Sequence, residues 1–182
     1  MLISFYKQLK RFSKALIVLS RILKSYLGPR ASVDSVTIFG SREFISRTSD
    51  ALMLLKVKAP HCYSLLQRHI AVIMSVIPSG VFTHRLAHGP TVVTMSPKMS
   101  RRPLIEYAAT IAHEVHHCQL YIEGKESGRS HRLLHGEQEE MLCVEYECNI
   151  LRELGADEGT IEAAKKCLET QWWNVPWVER DW

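Results

Sequence analysis

Ala108-Ala109-Thr110-Ile111-Ala112-His113-Glu114-Val115-His116-His117-Cys118-Gln119-Leu120-Tyr121 is the stretch from which the fold and the chemistry of this 182-residue chain are read. Leu104, Ala108, Ile111, Val115, Cys118 and Ile122 recur at helical spacing, which predicts an amphipathic helix with one apolar stripe. His113, Glu114 and His117 lie roughly opposite that stripe and spell H-E-x-x-H. At about 100° per residue, positions four apart differ by only about 40°, so two imidazoles can reach one cation. Glu114, about 100° round from His113, is offset from the ligand pair and free to bond a water. Zinc with three protein ligands keeps a fourth position open and makes a water there acidic enough for a carboxylate to deprotonate. The pattern implies metal-assisted hydrolysis, with His113 and His117 as ligands and Glu114 as general base. A polar helix face without a metal is the competing reading, and residues elsewhere in the chain decide between them.

The composition, 46% hydrophobic and 23% charged, is that of an ordinary globular domain with a sizeable core. Five cysteines without regular spacing argue against a disulfide framework and suit a reducing, cytoplasmic setting. Cys118 falls on the apolar stripe and reads as core. The net charge of +4 is unevenly placed: residues 1 to 30 hold seven basic residues and no acids, while the remainder holds 16 basic and 19 acidic residues. The basic balance therefore belongs to the N-terminus, and no nucleic-acid partner is expected for the domain.

Two units follow from this: a basic amphipathic helix in residues 1–30, and one domain in residues 31–182. Apolar residues from Leu2 to Leu27 keep a helical period, and Gly28-Pro29 ends it. The run Ala15 to Ser20 is too short to span a bilayer, and Lys14 and Arg21 interrupt any signal-peptide core. A helix of this kind fits peripheral contact with an anionic membrane or with a protein through residues 1–27; packing on its own domain is the alternative. Downstream, the expectations are a strand at Ser35–Phe39 closed by Gly40, a helix from Asp50 to Lys58, and a second from Pro60 to Ile77. A hairpin of Val81–Leu86 and Thr91–Met95 precedes the motif helix, which starts near Ser100 or Pro103 and stops before Gly124. Glu137 opens another long helix, ended after Leu154 by Gly155, and a last one covers Thr160–Thr170. Four tryptophans between 172 and 182 carry too much apolar area to leave in water, so the tail is expected to cover the core.

Two histidines hold zinc weakly, so a third donor is required. The helix 137–154 offers Glu137, Glu139, Glu140, Glu145, Glu147 and Glu153. Against a stripe of Met141, Val144, Cys148 and Leu151, Glu145 and Glu147 both flank the apolar face, and periodicity does not choose between them.

His113-Glu114-x-x-His117 followed by Glu145-Tyr146-Glu147-Cys148-Asn149 resembles the gluzincin branch of the zincin metallopeptidases. The resemblance covers roughly residues 90–155. It implies an α+β, zincin-like fold, mostly helical with a small mixed sheet, in which the motif helix packs against a downstream ligand helix. It also implies that Glu145 is the third zinc ligand and that Asn149 orients a ligand histidine. A strand before the motif helix, here Thr91–Met95, would be the edge to which an extended peptide adds. The expected function is that of a zinc-dependent metallopeptidase acting on a peptide or protein. The competing class is a non-catalytic module of this fold that binds metal structurally or not at all. Tyr121, His131 and His135 are the candidates to stabilise an oxyanion, and His116 is a candidate rim residue.

Overall fold

Gly40 marks the point where the first strands give way to helix, and its lack of a side chain is required there. A Cβ at Gly40 would lie 2.7 Å from the Phe44 ring and 2.8 Å from Ser75 Cβ, too close for either to accommodate. The structure is a computed structural model that describes residues 20–77, 80–82, 91–126 and 136–175. The expected helix over residues 2–19, the hairpin connection, His84, His88, His131, His135 and the last two tryptophans lie outside the described residues.

β1 (Arg30–Val33) and β2 (Val36–Phe39) form an antiparallel pair. Asp34 turns the chain between them at φ 49°. Its carboxylate accepts from the Tyr63 hydroxyl at 2.5 Å and from Lys56 at 2.9 Å, contacts that hold a non-glycine residue in this disfavoured region. β3 (Val72–Ser75) runs parallel to β2, and β5 (Val92–Met95) parallel to β3. β4 (Gly80–Phe82) pairs antiparallel with β5, so the mixed sheet has the order β1-β2-β3-β5-β4. The period-2 alternation sends Ile38, Ile73 and Val93 into the main core and Phe39, Met74 and Val92 to the opposite face. Residues 20–26 are helical and meet that second face: Ile22 packs on Phe39, Met74 and Val76, and the Tyr26 ring stacks on Phe39 with centroids 4.9 Å apart.

Among the described residues, five further helices follow the first strands: α1 (Arg42–Lys58), α2 (Pro60–His69), α3 (Leu104–Glu126), α4 (Glu137–Leu154) and α5 (Glu158–Lys166). The architecture is α+β, mostly helical with a small mixed sheet, and α3 packs more extensively on α4 than any other two elements pack on each other. Leu52, Leu55, Leu66, Tyr107, Ile111, Ile150 and Leu151 are fully or almost fully buried between the helices. Buried Thr48 and Tyr107 share a hydrogen bond at 2.9 Å, and Arg47 donates to the carbonyls of Ser100 and Arg102. Through these bonds α1 fixes the start of the motif helix.

Four expectations are corrected. α1 starts at Arg42 rather than Asp50, because Ser41 caps it: its hydroxyl accepts from the Phe44 amide at 3.2 Å. The helix expected to reach Ile77 stops at His69, and Val72–Ser75 is a central strand whose neighbours on both sides are parallel. α3 runs through Gly124 to Glu126. β5 is not an edge, because β4 covers it, and β4 is the outer strand on that side.

Helix α4 spans Glu137–Leu154 as expected, and Gly155 closes it at φ 86° with its amide bonded back into the last turn. Asp157 caps α5, which continues as a 3-10 turn over Cys167–Thr170. Trp172 packs against the core. No helix among the described residues is long and apolar enough to cross a membrane.

Candidate metal centre

The apolar stripe of α3 settles which way its histidines point. Ala108, Ile111, Ala112, Val115 and Cys118 are all buried, and the flank bearing His113 and His117 is turned toward α4. The two Nε2 atoms lie 3.0 Å apart. Both rings are held from behind by carboxylates of α4. Glu147 Oε2 is 3.1 Å from His113 Nδ1, and Glu139 Oε1 is 2.8 Å from His117 Nδ1. The Thr110 hydroxyl, 3.4 Å from Glu147 Oε1, steadies the first of these. Carboxylates on Nδ1 orient the rings so that both Nε2 atoms face one point.

A third α4 carboxylate stands at that point. Glu140 Oε2 is 3.4 Å from His113 Nε2 and 3.5 Å from His117 Nε2. Glu140 is only 9% exposed, and among the described residues this oxygen accepts no directed hydrogen bond; it faces both rings as their ion-pair partner. Cys143, fully buried one turn further along α4, joins the same cluster. The ligand atoms of His113, His117 and Cys143 all lie within 4.8 Å of one another, and this group can hold a metal ion.

The electrostatics follow from burial of so many ionisable groups together. Burial disfavours a charged His113, but Glu140 and Glu147 outweigh it and hold its pKa up at about 10. For His117 burial is likewise overcome, by Cys143, Glu139 and Glu140, and its pKa stands well above the usual value. Burial would raise Glu140, yet the two imidazoles pull it down to about 2. Glu114, also buried, is pushed up by desolvation, and the neighbouring His117 and His113 only partly reverse this. A carboxyl raised in this way sits closer to the range in which it can exchange a proton near neutral pH.

The structure gathers His113, His117 and Glu114, and it does not bring Glu145 or Asn149 to them. Glu145 is exposed and lines a surface groove with Met141, Leu142, Asn149, Arg152 and Lys165, while the Asn149 side chain accepts from Arg152 at 2.8 Å. The reason is the phase of α4. Met141 is 52% exposed and does not belong to the buried stripe, which holds Glu140, Cys143, Val144, Cys148 and Leu151, with half-buried Glu147 reaching His113 from the same helix. Glu140 and Glu147 are seven apart, two turns along one face, in phase with Val144 and Leu151. That in-phase pair of acids was the sequence signal for the carboxylates of this site. The orienting role that the resemblance gave to Asn149 is occupied here by Glu147 and Glu139.

His116, the candidate rim residue, has a structural setting, as do His61 and Arg102 elsewhere. His116 stacks on Tyr146 with centroids 4.4 Å apart and planes 9° from parallel, and burial lowers its pKa; it clamps α3 to α4. His61 pairs with Glu153 at 3.6 Å, and Arg102 with Glu106 at 3.7 Å.

No family model, curated protein or solved structure matches this chain.

Proposed function

We propose that the protein is a zinc-dependent metallopeptidase in which His113, His117 and Glu140 hold the metal and Glu114 is the general base. The observation that carries this reading is the buried Glu140 Oε2, which stands 3.4 and 3.5 Å from two imidazole nitrogens that themselves face each other. Tetrahedral zinc with bonds of about 2.0–2.1 Å has its ligand atoms about 3.3–3.4 Å apart. The three donor–donor distances here, 3.0, 3.4 and 3.5 Å, bracket that value.

Zinc held there would supply Lewis-acid polarisation of a water and of a substrate carbonyl. The chain's own contribution is orientation and proton handling. Glu139 and Glu147 hold the rings by Nδ1 and turn the two Nε2 atoms toward each other and toward Glu140. Glu114, buried next to the first ligand, accepts a proton from the attacking water and returns it to the leaving amine. β4, the outermost of the described strands on that side, packs against α3, and an extended peptide would add along it.

The test is metal analysis and hydrolysis of a mixed peptide library by wild type and Glu114→Gln. One zinc in each, with cleavage lost only in the variant, is the expected result. A metal-free wild type overturns the site, and one zinc without Glu114-dependent cleavage points to a non-catalytic module with a structural metal.

A further inference from the structure

Cys143 is an unexpected neighbour for a hydrolytic site. It lies three residues after Glu140 and four before Glu147, hence on the same face of α4 as both. It is fully buried and forms no disulfide, and its Sγ lies within 4.8 Å of the ligand nitrogens of His113 and His117. With metal–sulfur bonds of about 2.3 Å and metal–nitrogen bonds of about 2.0–2.1 Å, a tetrahedral site places S and N about 3.5–3.6 Å apart. Cys143 Sγ therefore exceeds that separation by at most about 1.3 Å. A second feature points to the same spot: Glu140 Oε2, in a side chain about nine-tenths buried and with no directed hydrogen bond among the described residues, faces the same two nitrogens at 3.4 and 3.5 Å.

Building on the zinc site assigned above, we infer that Cys143 is the fourth ligand in the resting protein, so that His113, His117, Glu140 and Cys143 form a closed site. Its thiol gives up its proton to solvent as the sulfur–metal bond forms, and no electrons change hands. Four protein ligands leave no open position, which is the arrangement of structural rather than catalytic zinc. Hydrolysis then requires the thiolate to leave the fourth position and take back a proton, and Cys143 regulates the site by occupying it. A thiolate in the set also favours zinc, cobalt and cadmium over magnesium or manganese, which carboxylate sites prefer.

X-ray absorption at the zinc edge of the zinc-loaded wild-type chain tests this without any variant. One sulfur scatterer at about 2.3 Å beside nitrogen and oxygen neighbours is expected. A bound zinc with a shell of nitrogen and oxygen alone overturns the role of Cys143 and leaves the His113–His117–Glu140 site standing. Failure to bind zinc overturns both. Loading with cobalt(II) gives a second readout: wild type should show an intense thiolate-to-metal band in the near ultraviolet. Cys143→Ala should still bind one cobalt, lose the band and cleave the peptide mixture faster. A band of unchanged intensity in that variant would refute the assignment.

Discussion

Replacing Glu140 by Gln removes one negative charge and changes almost nothing else in volume, which makes it the sharpest perturbation of the metal centre. Structural zinc sites bind with roughly 10–16 kcal/mol, so each of about four ligands accounts for ~3–4 kcal/mol. Losing one should weaken zinc binding on the order of 10²–10³-fold. Glu145→Gln, on the exposed flank of the same helix, should leave affinity within a factor of about two. Glu147→Ala, which frees His113 Nδ1 while sparing the ligands, should fall between them, with a loss of about 10–100-fold. Competition against a chromophoric chelator ranks the three. The metal-free proteins give a second reading of the same carboxylate. Its pKa is depressed from 4.5 to about 2 in the fold, so its ionised form stabilises the native state. That contribution, roughly 3 kcal/mol, is fully present above pH 4.5 and is lost as pH falls through 2. Chelator-treated Glu140→Gln should therefore unfold at lower denaturant than chelator-treated wild type at pH 7. If Glu145→Gln weakened zinc binding and Glu140→Gln did not, the assignment from the phase of α4 would be refuted.

Two further outcomes are expected. Zinc binding at pH 7 should release at least one proton: His113 is held protonated up to about 10 and His117 well above its usual value, whereas ligation needs neutral imidazole. Calorimetry in buffers of different ionisation enthalpy measures it; a binding enthalpy independent of buffer would contradict the charged cluster. Gly40→Ala should cost about 1–3 kcal/mol in urea denaturation without altering zinc stoichiometry, because the added methyl meets the Phe44 ring and Ser75.

What could be read in advance from the chain divides along physical lines. α3 and α4 were legible because each is long, its period is sustained, and Gly155 supplies a stop whose mechanism is local. β3 was not, since Val72-Ile73-Met74 continues an apolar run that suits a helix equally well. Its strand identity comes from parallel partners on both sides, which lie far away in sequence. The start of α1 was missed although its cap was present at Ser41, with buried Phe44 in the first turn. The H-E-x-x-H residues were found from spacing alone, but the third carboxylate depended on deciding whether Met141 is buried. That is decided by the packing of α4 against α3 and α5: Val144, Cys148 and Leu151 are buried as the stripe required, Met141 is exposed, and the buried carboxylate beside the histidines is Glu140.

The carboxylates behind the two imidazoles have a kinetic consequence. Glu139 and Glu147 hold the rings in their ligating rotamers through contacts between two helices that also share a large apolar interface. The cost of ordering the side chains is therefore met when the chain folds, and little rearrangement of His113 or His117 remains for the moment of metal capture. A centre arranged in this way should load quickly and give up its ion to a chelator with the helices still docked, so that emptying it changes chemistry before it changes shape.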